Sequence, residues 1–331
     1  MSDINRSAGF RRLALATGLA TFALILVGGV VRVSGSGLGC GPAGSGFNGW
    51  PFCNGDVVPG LDLNAVIEYT HRVLAAAVGV MMIALAVLAV RHYRGHRGLV
   101  RASVAAAGLV IAQGLLGAAT VEGDLDELLV ASHLGLAMGL LALILYVWRE
   151  SREPAAVEPA RPPRPSEPRV RAMSVAASVL VFCTIVAGGY MAGTQNYGRA
   201  DYQLGDGAHH ACGKEFPTCN GGFMPFGEAR LVDIHLAHRF FMYLAVIAVS
   251  ALALMALRRG HKRAAHLLIG LLATQVLLGA LNVWLDEYEL LILAHLTLGT
   301  LLWAASMNLV FQLYATRATA PAGARRRPVA A

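Results

Sequence analysis

The chain has 331 residues, of which 56% are hydrophobic and 14% are charged. Soluble domains carry about 25% charged residues, so this composition excludes an ordinary water-soluble protein and indicates one that is surrounded by membrane lipid. The formal net charge of +7 does not indicate nucleic-acid binding, because the basic residues form short clusters between apolar segments instead of one polar surface.

Eight apolar stretches are long enough to cross a bilayer. A hydrocarbon core about 30 Å thick requires roughly 20 apolar residues per helix. The stretches cover residues 13–31, 66–90, 103–121, 128–148, 173–193, 235–257, 264–285 and 290–314. We therefore predict an all-α integral membrane protein with eight transmembrane helices.

The charge of the loops alternates along the chain. The basic loops and termini contain Arg6, Arg11 and Arg12; Arg91, Arg94, Arg97 and Arg101; residues 149–171; Arg258, Arg259, Lys262 and Arg263; and Arg325, Arg326 and Arg327. The acidic loops contain Glu122, Asp124, Asp126 and Glu127, and Asp286, Glu287 and Glu289. Because basic loops stay on the cytoplasmic side, we expect a multi-pass protein of the cell membrane with both termini in the cytoplasm.

The chain contains one unit twice. Residues 113–118, QGLLGA, recur as residues 275–280, QVLLGA, and the pair Gly28-Gly29 recurs as Gly188-Gly189. Copies with an even number of helices keep the same orientation, so we expect two parallel four-helix bundles related by a pseudo-twofold axis along the membrane normal. The predicted segments are an N-terminal half (1–150), a Pro- and Arg-rich cytoplasmic linker (151–171), a C-terminal half (172–316) and a basic cytoplasmic tail (317–331).

Four histidines have matched positions in the two halves. His71, His133, His238 and His295 each lie near the outer start of an even-numbered helix. One such histidine alone is explained equally well by a hydrogen bond between helices. Four at matched depth favour haem, because two imidazoles from facing helices can bind the axial positions of the iron. Zinc or copper is the alternative, but neither half offers a compact cluster of further ligands.

Other residues near these histidines suit a haem site. Gly135, Gly139 and Gly299 would leave room for a porphyrin. Arg72 and Arg239 directly follow two of the histidines at the water interface, where a guanidinium can bind a haem propionate. Anchoring at the interface explains either arginine equally well.

The two halves differ beside the first histidine of each pair. Glu68 precedes His71 by one helical turn, whereas His235 occupies the matching position before His238. This asymmetry indicates different functions for the two sites. A carboxylate suits proton transfer or the stabilisation of positive charge near a reacting carbon, with a structural role for Glu68 as the alternative.

Four of the five cysteines lie in two outward loops. Disulfides persist outside the membrane, so we expect the pairs Cys40–Cys53 and Cys212–Cys219. Cys183 lies within a helix, where we expect it to contribute to packing.

Taken together, these motifs resemble the heme A synthase family, which converts heme O into heme A for terminal oxidases. Residues 28–40, GGVVRVSGSGLGC, resemble the family's glycine-rich first outward loop, which closes at residues 50–53, WPFC. Residues 68–72, EYTHR, resemble its Glu-x-x-His-Arg motif. The resemblance covers nearly the whole chain, from the first helix to the eighth.

The resemblance implies a function for each half. His238 and His295 would bind a haem b cofactor in the second half, and His71 and His133 would face the substrate heme O in the first. Glu68 would take a catalytic part. The reaction would oxidise the C8 methyl of heme O to a formyl group by successive hydroxylations with water-derived oxygen.

The resemblance also implies partners, and the sequence departs from the family in two places. A heme O synthase would deliver the substrate and a cytochrome oxidase would receive the product, while a homo-oligomer is left open. The pair Cys40–Cys53 would pass electrons or hold its loop, but its spacing is longer than in the family because residues 41–49 look like a glycine-rich insertion. His235 adds a third histidine as an alternative haem ligand.

Two other classes of function fit part of the pattern. A diheme b-type membrane cytochrome that exchanges electrons with quinone explains the four histidines equally well, but it does not explain why Glu68 is matched by His235. A transporter built from parallel repeats would use the histidines as proton relays. Such a site would lie near the midplane of the membrane, whereas these histidines lie near the outer ends of their helices.

Overall fold

The computed structural model describes residues 2–151, 167–195, 207–285 and 289–314. Long helices dominate these residues. They are α1 (Ser2–Val33), α2 (Leu63–His92), α3 (Arg97–Glu122), α4 (Glu127–Glu150), α5 (Glu167–Gly193), α6 (Arg230–Arg258), α7 (Lys262–Trp284) and α8 (Glu289–Tyr314). Most of the predicted linker (152–166), Asp286, Glu287 and the predicted basic tail lie outside the described residues.

The structure confirms the predicted number of spanning helices. Within the described ranges, eight helices are long and apolar enough to cross a membrane. Each corresponds to one apolar stretch and begins before it, and α7 ends one residue before its predicted end. The helix α5 begins at Glu167, inside the segment predicted as linker.

Side-chain caps fix the N-terminal ends of the two helices that carry the first histidine pair. The carboxylate of Asp62 accepts a hydrogen bond from Ala65 N at 3.0 Å before α2. Asp126 accepts one from Leu128 N at 2.9 Å before α4. Such caps stabilise a helix start by about 1 kcal/mol, so they define where His71 and His133 lie along their helices.

The helices of each half contact one another in a ring. In the first half, α1 and α3 each pack against both α2 and α4; in the second, α5 and α7 each pack against both α6 and α8. Between the halves, α4 contacts α5 and α8, and α1 contacts α8. The main buried core therefore lies along α4, α5, α6 and α8, and it joins the two halves.

Polar contacts also cross between the halves. The indole Nε1 of Trp303 donates to Met138 O at 2.9 Å between α8 and α4. At the N-terminal ends of α4 and α6, the carboxylate of Glu127 accepts a hydrogen bond from Arg230. The last residue of α5, Gly193, lies against the backbone of Glu127, and an added Cβ would be 2.5 Å from Glu127 Cα.

We predict that Gly193→Ala destabilises the protein, because the added Cβ meets backbone atoms that cannot rotate away. Overpacking of this kind costs about 1–3 kcal/mol. Thermal unfolding in detergent should show a lower midpoint than in the wild type. Gly108→Ala is the matched control, because Gly108 has no atom within 4 Å of an added Cβ. Equal midpoints for the two variants would contradict this account of the helix contact.

Candidate functional site

Each histidine of the first pair lies against a glycine of the preceding helix. A Cβ added at Gly28 on α1 would be 3.2 Å from Nε2 of His71. A Cβ added at Gly117 on α3 would be 3.2 Å from Cε1 of His133. Because α1 and α3 each pack against both α2 and α4, His71 and His133 lie inside the same four-helix half.

The second half repeats this arrangement at the matched positions. A Cβ added at Gly188 on α5 would be 3.0 Å from Cε1 of His238, and one at Gly279 on α7 would be 3.1 Å from Cε1 of His295. Because α5 and α7 each pack against both α6 and α8, His238 and His295 lie inside the second half. All four histidines thus pack closely against a residue that lacks a side chain, and an added Cβ would require the ring to shift by a few tenths of an ångström.

These four glycines were not among the predicted site residues. The signal for them was present in the sequence, since each belongs to one of the repeated segments, 28–29 with 188–189 and 113–118 with 275–280. Repetition alone did not indicate which face of its helix each glycine occupies.

The glycines that were expected to make room for a porphyrin pack differently. Gly135 faces α5, where an added Cβ would be 3.2 Å from Val186 Cγ2, because α4 lies at the boundary between the halves. A Cβ added at Gly299 would be 3.1 Å from Nε2 of Gln275. Only Gly139 of the three has open space beside it, and the expectation that these glycines make room for a porphyrin stays a prediction.

The nitrogen atoms of the histidines have different partners. His238 Nδ1 donates to Thr184 O at 2.9 Å, and His235 Nδ1 donates to Ala208 O at 2.7 Å. Within the described residues, the buried Nδ1 atoms of His133 and His295 make no hydrogen bond of ordinary geometry. Buried polar atoms are rarely left unpartnered, which is expected of a site that receives a polar or metal-containing group.

Glu68 and Arg72 connect α2 to the loop between α1 and α2, which was predicted as the first outward loop. Glu68 is only 4% exposed, and it forms an ion pair with Arg72. Its Oε2 accepts a hydrogen bond from Cys40 N at 2.7 Å. The guanidinium of Arg72 also donates to Gly49 O at 2.6 Å and Phe52 O at 2.9 Å. The carboxylate is therefore held between the histidine helix and the loop.

Arg239 holds the other outward loop in the same way. Its Nη2 donates to Glu215 O and its Nη1 to Thr218 O, both at 2.8 Å. The acceptors lie four and one residues before Cys219, just as the acceptors of Arg72 lie four and one residues before Cys53. Both arginines bind loop carbonyls here, so their predicted contact with haem propionates stays a prediction.

The structure contains both predicted disulfides, Cys40–Cys53 and Cys212–Cys219. All four cysteines are at most 1% exposed. Cys183 on α5 is free and partly buried.

His209 is a further residue that the sequence did not single out. It lies in a short 3-10 helix, Ala208–Cys212, which packs on α6. Burial lowers the pKa of His209 well below its usual range, with smaller effects of the same sign from His235 and His238. The ring is therefore neutral at pH 7. No spacing in the sequence connects this loop residue with the histidines of α6.

The described residues contain no group of three or more His, Cys, Asp or Glu side chains that could hold a metal ion by themselves. Zinc and copper usually need such a cluster. Paired histidines on facing helices remain, and they suit a haem iron.

Comparison with known proteins is consistent with this geometry. A family described as cytochrome oxidase assembly protein matches residues 62–307. The heme A synthase of Symbiobacterium thermophilum is 30% identical over 280 residues, which cover 82% of this chain and 84% of that protein. The chain belongs to the heme A synthase family. The heme A synthase of Halalkalibacterium halodurans is 26% identical over 311 residues, 91% of this chain and 96% of that protein.

Membership of this family agrees with the resemblance seen in the sequence. Together with the eight long apolar helices of the described residues, it makes the chain a multi-pass membrane protein. It also assigns the chain a part in cytochrome oxidase assembly.

We predict that Arg72→Met loosens the first outward loop while the helices stay folded, because charged hydrogen bonds worth about 1.5–3 kcal/mol each are lost. Hydrogen–deuterium exchange should become faster at Cys53 N and Gly55 N, whose acceptors lie within this loop. Arg101→Met, at an exposed position near the other end of the bundle, should leave this exchange unchanged. Unchanged exchange in both variants would show that Arg72 does not hold the loop.

Proposed function

We propose that this protein is a heme A synthase, an oxidoreductase that acts on CH groups and converts the C8 methyl of heme O into a formyl group. The observation that carries the proposal is the difference between two otherwise matched histidine sites. One has the buried carboxylate of Glu68 beside it, and the other has the imidazole of His235. Electron transfer alone would need no such difference, whereas oxidation of a substrate needs one site with a reactive group.

The residues of the second half fit a haem b cofactor. His238 and His295 would hold the haem iron in this proposal. His238 uses Nδ1 to donate to Thr184 O, which leaves the Nε2 lone pair for the iron. Arg239 is 3% exposed, and its Nε has no partner within the described residues, so one donor remains for a propionate. When bound, haem b supplies one-electron redox chemistry.

The first half is the substrate site in this proposal. His71 and His133 bind heme O between facing helices, as their matched counterparts bind the cofactor. Glu68 lies one helical turn before His71 and is fixed by Cys40 N and Arg72. A carboxylate held in this way can act without rearrangement when charge develops on the substrate.

The proposed reaction is oxidation with oxygen from water. The methyl carbon loses an electron pair and a proton, water adds to the carbon, and a second proton leaves to give an alcohol. The same oxidation of the alcohol gives a geminal diol, which loses water to form the aldehyde. Glu68 stabilises the positive charge on the carbon and accepts a proton, and the electron pairs pass to an external acceptor.

The arrangement in the membrane is also part of the proposal. We infer that residues 1–150 and 172–316 form halves related by a pseudo-twofold axis along the membrane normal. The contacts between the halves support this arrangement. A twofold axis would place α5 where α1 lies and α4 where α8 lies, so a contact between α1 and α8 requires a contact between α5 and α4. Both contacts are present. The basic residues between α2 and α3 and between α6 and α7 support cytoplasmic termini in the cell membrane.

The chemistry also implies partners. Heme O is a poorly soluble substrate and heme A is destined for an oxidase, so we propose contacts with a heme O synthase and with cytochrome oxidase. The match to a cytochrome oxidase assembly family supports the second contact.

We predict that Glu68→Gln abolishes heme A formation while haem b stays bound. The protein would be purified from cells that make heme O, and the extracted haems identified by chromatography and mass. Loss of a residue that acts on a proton or a developing charge lowers the rate by about 10²–10⁴-fold. Glu150→Gln changes an exposed carboxylate at the C-terminal end of α4, and this variant should behave like the wild type.

Two results would contradict the proposal. Full heme A formation by Glu68→Gln would remove Glu68 from the reaction. Two equivalents of unmodified haem b in the wild type, with no oxidised product, would instead favour a diheme cytochrome that exchanges electrons with quinone.

Cysteine labelling of intact cells tests the predicted orientation. A membrane-impermeant maleimide should label Leu61→Cys before α2, where Leu61 is fully exposed. It should label Gly95→Cys between α2 and α3 only after the membrane is opened, because this basic loop faces the cytoplasm. The reverse pattern would place the histidine sites on the cytoplasmic side.

A further inference from the structure

His238 is held by the backbone of the neighbouring helix. Its Nδ1 lies 2.9 Å from Thr184 O on α5. A carbonyl oxygen can only accept a hydrogen bond, so Nδ1 carries the proton and Nε2 carries the lone pair. The tautomer and the direction of the ring are therefore fixed before any ligand arrives.

Gly188 makes this hydrogen bond accessible. It follows Thr184 by one helical turn, so its position lies directly beside the Thr184 carbonyl. A Cβ added at Gly188 would be 3.0 Å from Cε1 and 3.1 Å from Nδ1 of His238. A side chain at this position would push the ring away from the carbonyl that it binds.

The matched histidine of the first half has no such support. The ring of His71 faces Gly28 with a different edge, because Nε2 and Cδ2 lie 3.2 and 3.7 Å from an added Cβ and Nδ1 lies beyond 4 Å. Within the described residues, the His71 Nδ1 therefore does not lie beside the α1 backbone at Gly28 in the way that the His238 Nδ1 lies beside α5. The two halves therefore share the glycine but not the hydrogen bond.

We propose that Gly188 and the Thr184 carbonyl are positioning groups that make His238 a permanent haem ligand, whereas His71 is a ligand that exchanges. This inference rests on the proposed function. A hydrogen bond from Nδ1 to a carbonyl orients the imidazole and makes Nε2 a stronger donor to the metal. A cofactor must stay bound through many turnovers, while a substrate site must release its product.

The test uses the full-length protein in detergent, loaded with its own haems. The variants are Gly188→Ala and its symmetry counterpart Gly28→Ala. Gly270→Ala on α7 is the control, because Gly270 has no atom within 4 Å of an added Cβ. The readouts are the midpoint potential of haem b, the rate at which haem b passes to excess apomyoglobin, and the thermal unfolding midpoint.

We expect Gly188→Ala to release haem b about 10-fold faster or more, the usual effect of losing a group that orients a metal ligand. Its midpoint potential should become more positive, because a weaker imidazole donor stabilises ferric iron less. Gly28→Ala and Gly270→Ala should leave both properties of haem b unchanged. The unfolding midpoint shows whether a faster release merely reflects a less stable protein.

Wild-type potential and release rate in Gly188→Ala would overturn the inference, and so would an equal change in Gly28→Ala. If Gly188→Ala does not fold, pulsed EPR of the oxidised wild-type protein tests the inference instead. A hydrogen-bonded Nδ1 proton on a ligand of haem b supports the inference, and its absence overturns it. A wild type that holds no haem b would instead contradict the proposed function itself.

Discussion

The close approach between each imidazole and the backbone of a neighbouring helix is the constraint on which the sites depend. Packed helices lie about 8–10 Å apart, so a histidine ring fits between them only where the facing residue has no side chain. Gly28, Gly117, Gly188 and Gly279 meet this need, each against one of the four matched histidines. The same close approach to a glycine occurs in both halves.

The outward loops belong to these sites as much as the helices do. Arg72 and Arg239 bind the carbonyls of their loops at the same offsets from a cysteine. Glu68 adds a hydrogen bond to the backbone of Cys40. A disulfide closes each loop, so the loops that contact α2 and α6 near their histidines are cross-linked. This cross-linking suits a site that must hold reacting groups in place.

The two halves share a scaffold but differ in chemistry. The first has a buried carboxylate beside its histidine, and the second has His235, which donates to Ala208 O at 2.7 Å. The orientation of the first histidine also differs, since His238 binds Thr184 O and His71 presents another edge to its glycine. One repeated unit can in this way hold a cofactor permanently in one copy and bind a substrate transiently in the other.

The sequence by itself determined the spanning helices, the repeated unit, the matched histidines and the cysteine pairs. Apolar runs, repetition and loop position are local properties, and lipid enforces the helices because the backbone has no water to bond with. Only the tertiary structure decided which glycines face the imidazoles, why Gly135 packs on α5 instead, and which carbonyls the arginines bind. Those contacts join residues far apart in the chain, and they depend on how each helix is rotated against its neighbours.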